Sequence, residues 1–242
     1  MDTSFFDTVK TGDASLPERV AGQISQLIID RHLTCEDKLP NEFELAEQLH
    51  VGRGTVREAV KLLVARNVLV IRRGKGTFIA RHPGEVEDPL GFAYYADKIR
   101  LAQDLLEVRT QLEPWVASLA AQRASAEDMD HLREAALLVE QDIFSGKDHL
   151  GQDTKFHICI AQCTQNLVVP KLIPIITYSV ELFGSLNGNV LLSETVSAHR
   201  AITSAICTRD AKAAEQAMAQ HLEHNRAELA LIVKELGGPT FS

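Results

Sequence analysis

The sequence predicts a mainly α protein of two domains: a small N-terminal domain of three helices and a β-hairpin, then an all-α antiparallel helical bundle. The N-terminal prediction rests on short amphipathic helical patterns and two β-rich runs within residues 15–80. The bundle prediction rests on residues 101–242, where apolar side chains recur only with helical spacing. Charge also separates the halves, because residues 1–82 have a net charge of +1 and residues 83–242 one of −9.

Capping patterns predict where the first two helices begin. Ser15 is followed three residues later by Glu18, and Asn41 by Glu44. At this spacing the cap side chain and the glutamate satisfy free backbone N–H groups of the first turn. The first helix also has an apolar face that would pack behind the next two helices. Its members are Val20, Ile24, Leu27 and Ile28.

The third helix is predicted over residues 53–66, after a tight turn at residues 50–52. We expect Gly52 in this turn to take a backbone conformation that other residues avoid. One face of the helix is apolar and predicted to be buried: Val56, Ala59, Val60 and Leu63. The other face carries the candidate nucleic-acid contacts: Arg53, Thr55, Arg57 and Lys61.

Two β-rich runs, at residues 68–71 and 77–80, predict a two-stranded wing. The candidate minor-groove contacts lie at its tip: Arg73, Gly74 and Lys75. Residues 51–82 hold eight basic side chains and one acidic side chain, within a chain of net charge −8. Because local positive charge is what phosphate contact requires, we interpret this winged helix-turn-helix as DNA-binding. The alternative is a solvated charged helix face.

Composition excludes several classes of protein. Hydrophobic residues make up 45% and charged residues 24% of the chain, as in ordinary globular proteins. No apolar run approaches the roughly 18 residues of a membrane span, and the acidic N-terminus is unlike a secretory signal. We therefore expect a cytoplasmic protein with no membrane partner. The cysteines form no C-x-x-C pair and are expected to be reduced: Cys35, Cys159, Cys163 and Cys207.

The C-terminal part is predicted to contain six or seven antiparallel helices, with breaks at residues 187–189 and 208–210. The helical segments span residues 101–120, 132–144, 152–163, 168–186, 194–207 and 211–236. Pro114 lies within the first segment and would kink it. Ligand sites in such bundles form from side chains that face the core.

One aspartate and three histidines form a candidate metal site in this bundle. Asp153 and His157 are four residues apart and share a helix face, whereas His199 and His221 lie on later helices. Nitrogen ligands favour transition metals, so we expect Zn²⁺ first, with Ni²⁺ and Mn²⁺ as alternatives. Solvated or hydrogen-bonded histidines are the other interpretation, because nine histidines in 242 residues produce such pairs by chance.

Other side chains near this set are weaker candidates. His149 and His224 each lie about one helical turn from a proposed ligand and could substitute for it. Cys159 and Cys163 fall on roughly the opposite helix face from Asp153, so we predict that they belong to the core.

The stretch from Leu39 to Ala80 resembles the winged helix-turn-helix of the GntR family of bacterial transcription regulators. The matching residues are Leu39, Pro40, Glu42, Leu45, Ala46, Val51, Arg53, Val56, Arg57, Glu58, Ala59 and the run Gly74-Lys75-Gly76-Thr77-Phe78. Two positions depart from the family pattern. Phe43 stands where many members have an arginine that touches DNA, and Gly52 stands where Ser or Thr caps the recognition helix.

The bundle resembles the FCD effector domain of the FadR subfamily, through residues 107–114, 153–157, 199–202 and 217–222. In metal-binding members an Asp and three His at these motifs hold the ion, and an arginine of the first motif holds the carboxylate of the effector. The implied ligands are Asp153, His157, His199 and His221, and the implied effector-binding arginine is Arg109.

Pro83 and Gly84 beside an acidic cluster predict a linker over residues 83–100, between a DNA-binding domain over residues 1–82 and an effector-binding and dimerisation domain over residues 101–242. The resemblance implies a homodimeric repressor that binds double-stranded operator DNA and responds to a small organic acid. Two alternatives stay open. The metal ion could itself be the signal, or the chain could be a metal-dependent hydrolase, although no motif places a general base.

Overall fold

The structure is a computed structural model that describes residues 14–35, 37–86, 88–180, 182 and 192–235. The chain forms two compact units that divide between Pro89 and Leu90. Among the described residues, no helix combines the length and the apolar character that crossing a lipid bilayer requires.

The N-terminal unit contains helices α1 (Leu16–Asp30), α2 (Glu42–Leu49) and α3 (Arg53–Ala65). Both predicted capping boxes are confirmed, since Ser15 and Asn41 cap α1 and α2 and each donates its backbone N–H to the carboxylate of the glutamate three residues on. The apolar faces of the three helices meet in one core. Its members include Val20, Ile24, Leu45, Val56, Ala59, Val60 and Leu63.

The expected backbone conformation of Gly52 is wrong. Gly52 is extended, with φ −67° and ψ 146°, and it is His50 that takes the left-handed conformation, with φ 53°. His50 ends α2, and its left-handed backbone lets the N–H of Val51 donate to the carbonyl of Ala46 at 3.1 Å. Gly52 then starts α3 as an N-cap without a side chain to bond the first turn.

Strands β1 (Leu69–Arg72) and β2 (Gly76–Ile79) form the predicted antiparallel wing, with Leu69 paired to Ile79 and Arg72 to Gly76. Leu69 and Ile79 are buried and attach the hairpin to the core. Gly76 has φ 120°, a backbone conformation that residues with a Cβ rarely adopt. This conformation favours glycine there.

The C-terminal unit opens with a short 3-10 helix, Phe92–Tyr94, and is otherwise helical where it is described. Its helices are α4 (Lys98–Arg123), α5 (Ala126–Phe144), α6 (Leu150–Cys163), α7 (Val169–Ile176), α8 (Leu192–Cys207) and α9 (Ala211–Glu235). Helix α4 begins within the span expected as a linker because Asp97 caps it, accepting from the N–H of Arg100.

The helix predicted over residues 168–186 is not continuous. Helix α7 ends at Ile176, and the hydroxyl of Thr177 donates to the carbonyls of Ile173 and Pro174. Such local side-chain bonds compete with the helical ladder and permit the turn seen at Thr177. The predicted break at residues 187–189 lies outside the described residues.

Helix α4 occupies the centre of this unit, because it contacts α6, α7, α8 and α9. It continues through Pro114, which is buried. Apolar side chains from these helices form the core, among them Leu105, Leu106, Phe156, Ile202, Met218 and Leu222. The side chains on the inward face of α4 therefore lie against those of the surrounding helices.

Candidate nucleic-acid interface and candidate metal centre

The exposed face of α3 and the tip of the wing form a basic surface on the N-terminal unit. We define this basic surface by the predicted DNA contacts Arg53, Thr55, Arg57, Lys61, Arg73, Gly74 and Lys75. All are exposed except Thr55, which is partly buried. The opposite face of α3 is buried, and this fixes which side chains point outward.

Helix α2 contributes to the basic surface in a way that the sequence interpretation missed. Glu42 accepts from Arg57, with its Oε2 atom 3.1 Å from Nε and 2.9 Å from Nη2. The guanidinium of Arg53 lies 6.0 Å from the ring centre of Phe43. These contacts position the side chains of two arginines that we predict to contact DNA. Both contacts are exposed, so they can rearrange at little cost in free energy.

The wing tip depends on a left-handed residue. Gly74 has φ 71°, and the N–H of Lys75 donates to the carbonyl of Arg72 at 2.9 Å. The turn leaves the side chains of Arg73 and Lys75 exposed. The guanidinium of Arg72 lies 4.5 Å from the ring centre of Phe78, and this cation–π contact joins the two strands.

In the C-terminal unit the structure brings the four predicted metal ligands together. We call Asp153, His157, His199 and His221 the histidine cluster. Asp153 and His157 come from α6, His199 from α8 and His221 from α9, and all four are buried. One ring nitrogen of each histidine lies within 4.8 Å of the corresponding atoms of the other two.

The carboxylate of Asp153 completes the set. Its Oδ1 lies 3.3 Å from Nε2 of His199, and its Oδ2 lies 3.6 Å from Nε2 of His157. The ring of His199 stacks on Phe156, with the ring centres 4.1 Å apart, and this contact holds the imidazole plane. Three nitrogen donors and one carboxylate thus converge on one place within the bundle.

The buried position of the cluster favours neutral histidines, which can bind a metal cation. Burial lowers the pKa of His199 well below its usual value, and the neighbouring His221, His157, His149 and Arg109 lower it further. Burial, followed by His157 and Arg109, likewise lowers the pKa of His221. Both imidazoles are therefore neutral at pH 7, which is the form that binds metals.

Hydrogen bonding gives an independent test of whether these residues fit a metal. Neither ring nitrogen of His199 has a hydrogen-bond partner among the described residues. Buried polar atoms without partners are costly and uncommon in native proteins. A divalent transition metal would satisfy these nitrogens, so the donor set fits such an ion.

Arg109 and Glu113 lie beside the cluster, on the inward face of α4. Arg109 is 2% exposed, and its Nη2 atom is 3.3 Å from Nε2 of His157. Its Nη1 donates to Oγ of Ser179 at 3.2 Å. Burial raises the pKa of Glu113, but Arg109 and the contact with His157 together lower it well below the usual range. Glu113 is therefore ionised.

Two of these residues were missed by sequence reasoning. Glu113 contacts Arg109 Nε at 2.5 Å and His157 Nδ1 at 2.6 Å. Its spacing of four residues from Arg109 on one helix was a usable signal. Ser179 carried no such signal, because its partner is 70 residues away in sequence.

The weaker candidates are placed as follows. His149 is buried at the start of α6, and its Nδ1 has no hydrogen-bond partner in the described part of the chain. His224 is exposed. Cys163 is buried in the core and Cys159 packs partly buried against it, as predicted.

Comparisons with known proteins match both units. The family model described as "Bacterial regulatory proteins, gntR family" matches residues 16–79, and the model described as "FCD domain" matches residues 104–224. These spans contain every predicted site residue.

Two curated relatives align over most of the chain. The Uxu operon transcriptional regulator of Escherichia coli (strain K12) is 31% identical, with 88% of this chain and 86% of that protein covered. The HTH-type transcriptional regulator LutR of Bacillus subtilis (strain 168) is 31% identical, with 81% and 93% covered. The solved structure described as Streptococcus agalactiae GntR is 38% identical and superposes with a TM-score of 0.80, covering 88% of this chain and 99% of that one.

Proposed function

This chain belongs to the GntR family and is a transcriptional regulator with an FCD domain, and we propose that it is a repressor released from DNA by a small carboxylate. The carboxylate would bind at a metal centre in the bundle. As a regulator of transcription, the protein would act in the cytoplasm.

The observation that carries this proposal is the position of Arg109. Its buried guanidinium lies 3.3 Å from the ring nitrogen of His157 that faces the cluster. Glu113 and Ser179 occupy its Nε and Nη1 atoms, so Nη2 is the donor that faces the cluster, and a carboxylate bound beside the cluster would accept from it. A carboxylate can accept two hydrogen bonds from one guanidinium, so a small organic acid matches this site.

The histidine cluster would hold the ion. Zn²⁺ fits the nitrogen-rich donor set best, with Ni²⁺ and Mn²⁺ as alternatives. When bound, the ion would supply a Lewis-acidic position for a carboxylate oxygen. Arg109 would bind and orient the same carboxylate, while the surrounding apolar side chains of the bundle exclude water and strengthen the ion pair.

The basic surface would bind the operator. Helix α3 would enter the major groove, with Arg53 and Arg57 reaching bases or phosphates and Thr55 and Lys61 on the DNA backbone. The wing tip, residues 73–75, would follow the minor groove. Two copies of the chain would bind the two halves of a two-fold operator.

Control by the effector requires two arrangements of the dimer that differ in their affinity for the operator. A carboxylate bound in the bundle would favour the arrangement that places the two DNA-binding units poorly for the operator. Coupling of this kind is typically about 1–3 kcal/mol, which changes operator affinity by about 5-fold to 150-fold.

A paired measurement tests the proposal. Purified protein is screened for thermal stabilisation by small carboxylic acids, with and without a chelator, and any active acid is tested against an operator selected from random duplexes. We expect one acid to raise the melting temperature only without chelator and to weaken operator binding. An ion that alone changes operator affinity would instead make the metal the signal. Turnover of an acid or ester would indicate a hydrolase.

A further inference from the structure

We infer that Glu113 is a positioning residue that builds the metal site and the carboxylate site together. This inference rests on the proposed function. One carboxylate sets the tautomer of a metal ligand through one oxygen and the direction of the effector-binding guanidinium through the other. Neither the family resemblance nor the relatives' names assign this role to Glu113.

The contacts of Glu113 are short, buried and divided between its two oxygens. Oε1 is 2.5 Å from Nε of Arg109, and Oε2 is 2.6 Å from Nδ1 of His157. Glu113 and Arg109 are each 2% exposed, so water does not compete for these bonds. The contact with Arg109 is a hydrogen bond, and the contact with His157 is a short N···O approach at which a proton on Nδ1 points to the carboxylate.

The contact with His157 decides which ring nitrogen carries the proton. A carboxylate can only accept, so it holds the proton on Nδ1 and leaves the lone pair on Nε2. Nε2 is the atom near Asp153, at 3.6 Å, and near Arg109, at 3.3 Å. The ring of His157 therefore presents its unprotonated nitrogen to the other members of the histidine cluster. Metal-binding histidines do the same when a carboxylate holds the other nitrogen.

The contact with Arg109 decides where the guanidinium points. Glu113 holds Nε, and the hydroxyl of Ser179 accepts from Nη1 at 3.2 Å. Nη2 is then left directed toward the cluster. Any change at Glu113 would disturb both the ligand nitrogen and this donor, which couples the metal site to the carboxylate site.

The substitution Glu113→Gln separates this role from simple packing, because glutamine has nearly the same shape. Its amide has one acceptor oxygen and one donor nitrogen, so it cannot accept from both Arg109 and His157. If the oxygen faces Arg109, the NH₂ group faces His157 and requires an acceptor at Nδ1. The proton of His157 then moves to Nε2, where it blocks metal binding.

The test compares wild type, Glu113→Gln and the control Glu107→Gln, an exposed glutamate earlier on α4. Zn²⁺ affinity is measured in the full-length protein by competition with a chromogenic chelator. We expect Glu113→Gln to bind Zn²⁺ about 10-fold to 100-fold more weakly and the control to match wild type. Equal affinity in all three proteins would overturn the inference.

A second measurement reports the tautomer directly, and its wild-type result does not depend on whether Glu113→Gln folds. Two-bond ¹H–¹⁵N correlation spectra of the metal-free protein distinguish a proton on Nδ1 from one on Nε2, and the His157 signals are assigned by their loss in His157→Gln. We expect Nδ1–H in wild type and Nε2–H in Glu113→Gln. A wild-type proton on Nε2 overturns the inference. If wild type shows Nδ1–H but binds no Zn²⁺, the proposed metal site fails while the tautomer role stands.

Discussion

The basic surface and the histidine cluster place their charged side chains in opposite environments. The side chains of Arg57 and Lys61 are 54% and 63% exposed, whereas Arg109 and Glu113 are each 2% exposed. Charges at the surface are hydrated and can change partners when DNA binds. Buried charges are held only by one another, so a change that affects function in the cluster also affects folding.

Removal of one buried partner should have the largest effect. We expect Arg109→Ala to lower the free energy of unfolding by about 3–5 kcal/mol, because it leaves the carboxylate of Glu113 buried without its cation. Urea unfolding in the presence of a chelator measures this loss. The double variant Arg109→Met with Glu113→Met removes both charges and should lose less. A larger loss in the double variant would show that packing, not charge, dominates.

The cluster should also make stability depend on pH. The pKa values of His199 and His221 are lowered in the folded state, so the unfolded chain binds more protons below the ordinary value of 6.5. Without metal, stability should be constant above pH 6.5 and fall below it, by about 1.4 kcal/mol per pH unit for each histidine. Glu113 adds a separate loss below pH 4.5, because its pKa is also lowered.

Urea unfolding at pH 7.5 and pH 5.5 measures this dependence. The exposed His131 provides a control, since His131→Gln should leave the slope unchanged. Equal stability at both pH values would contradict the neutral, buried state of His199 and His221.

A substitution on the basic surface should weaken operator binding without changing the stability of the fold. We expect Arg57→Ala to weaken operator binding at least 10-fold to 100-fold, roughly the effect of losing one bidentate contact, with no change in melting temperature or metal content. Binding of a fluorescent operator duplex measures this loss. The control Glu42→Gln removes the salt bridge but keeps the arginine, and it should retain operator binding. Tight operator binding by Arg57→Ala would contradict the assignment of α3 as the recognition helix.

The smallest expected effect is at the start of α3. Gly52 is extended and makes no side-chain cap, and a Cβ there would meet Thr55 Oγ1 at an ordinary 3.9 Å. We expect Gly52→Ser to stabilise the protein by a few tenths of a kcal/mol by capping the first turn. Thermal unfolding measures the gain. Gly52→Ala, which adds a Cβ without a hydroxyl, should show none.

Local patterns predicted most of the fold. The two capping boxes, the apolar face of α3 and the hairpin depend on residues a few positions apart, so the sequence contains all that forms them. The turn before α3 was the exception. A glycine in the turn suggested a left-handed residue at position 52, but hydrogen bonding at the end of α2 placed it at His50.

The candidate metal site likewise has a part that the sequence predicted and a part that it did not. Asp153 and His157 lie one helical turn apart, so their shared face was predictable by itself. Residue types alone supported their link to His199 and His221 only weakly, and the family resemblance strengthened it. Glu113 had a partner four residues away, and its second partner lies 44 positions on, in another helix.

The sequence by itself determined the helices, the wing, the exposed arginines and the residues that form each helix face, because these follow from interactions within a few residues. Only the tertiary structure decided that α4, α6, α8 and α9 bring their polar side chains to one place. Packing also decided that Arg109, Glu113 and His157 are buried together, and their burial is what makes removal of one partner costly.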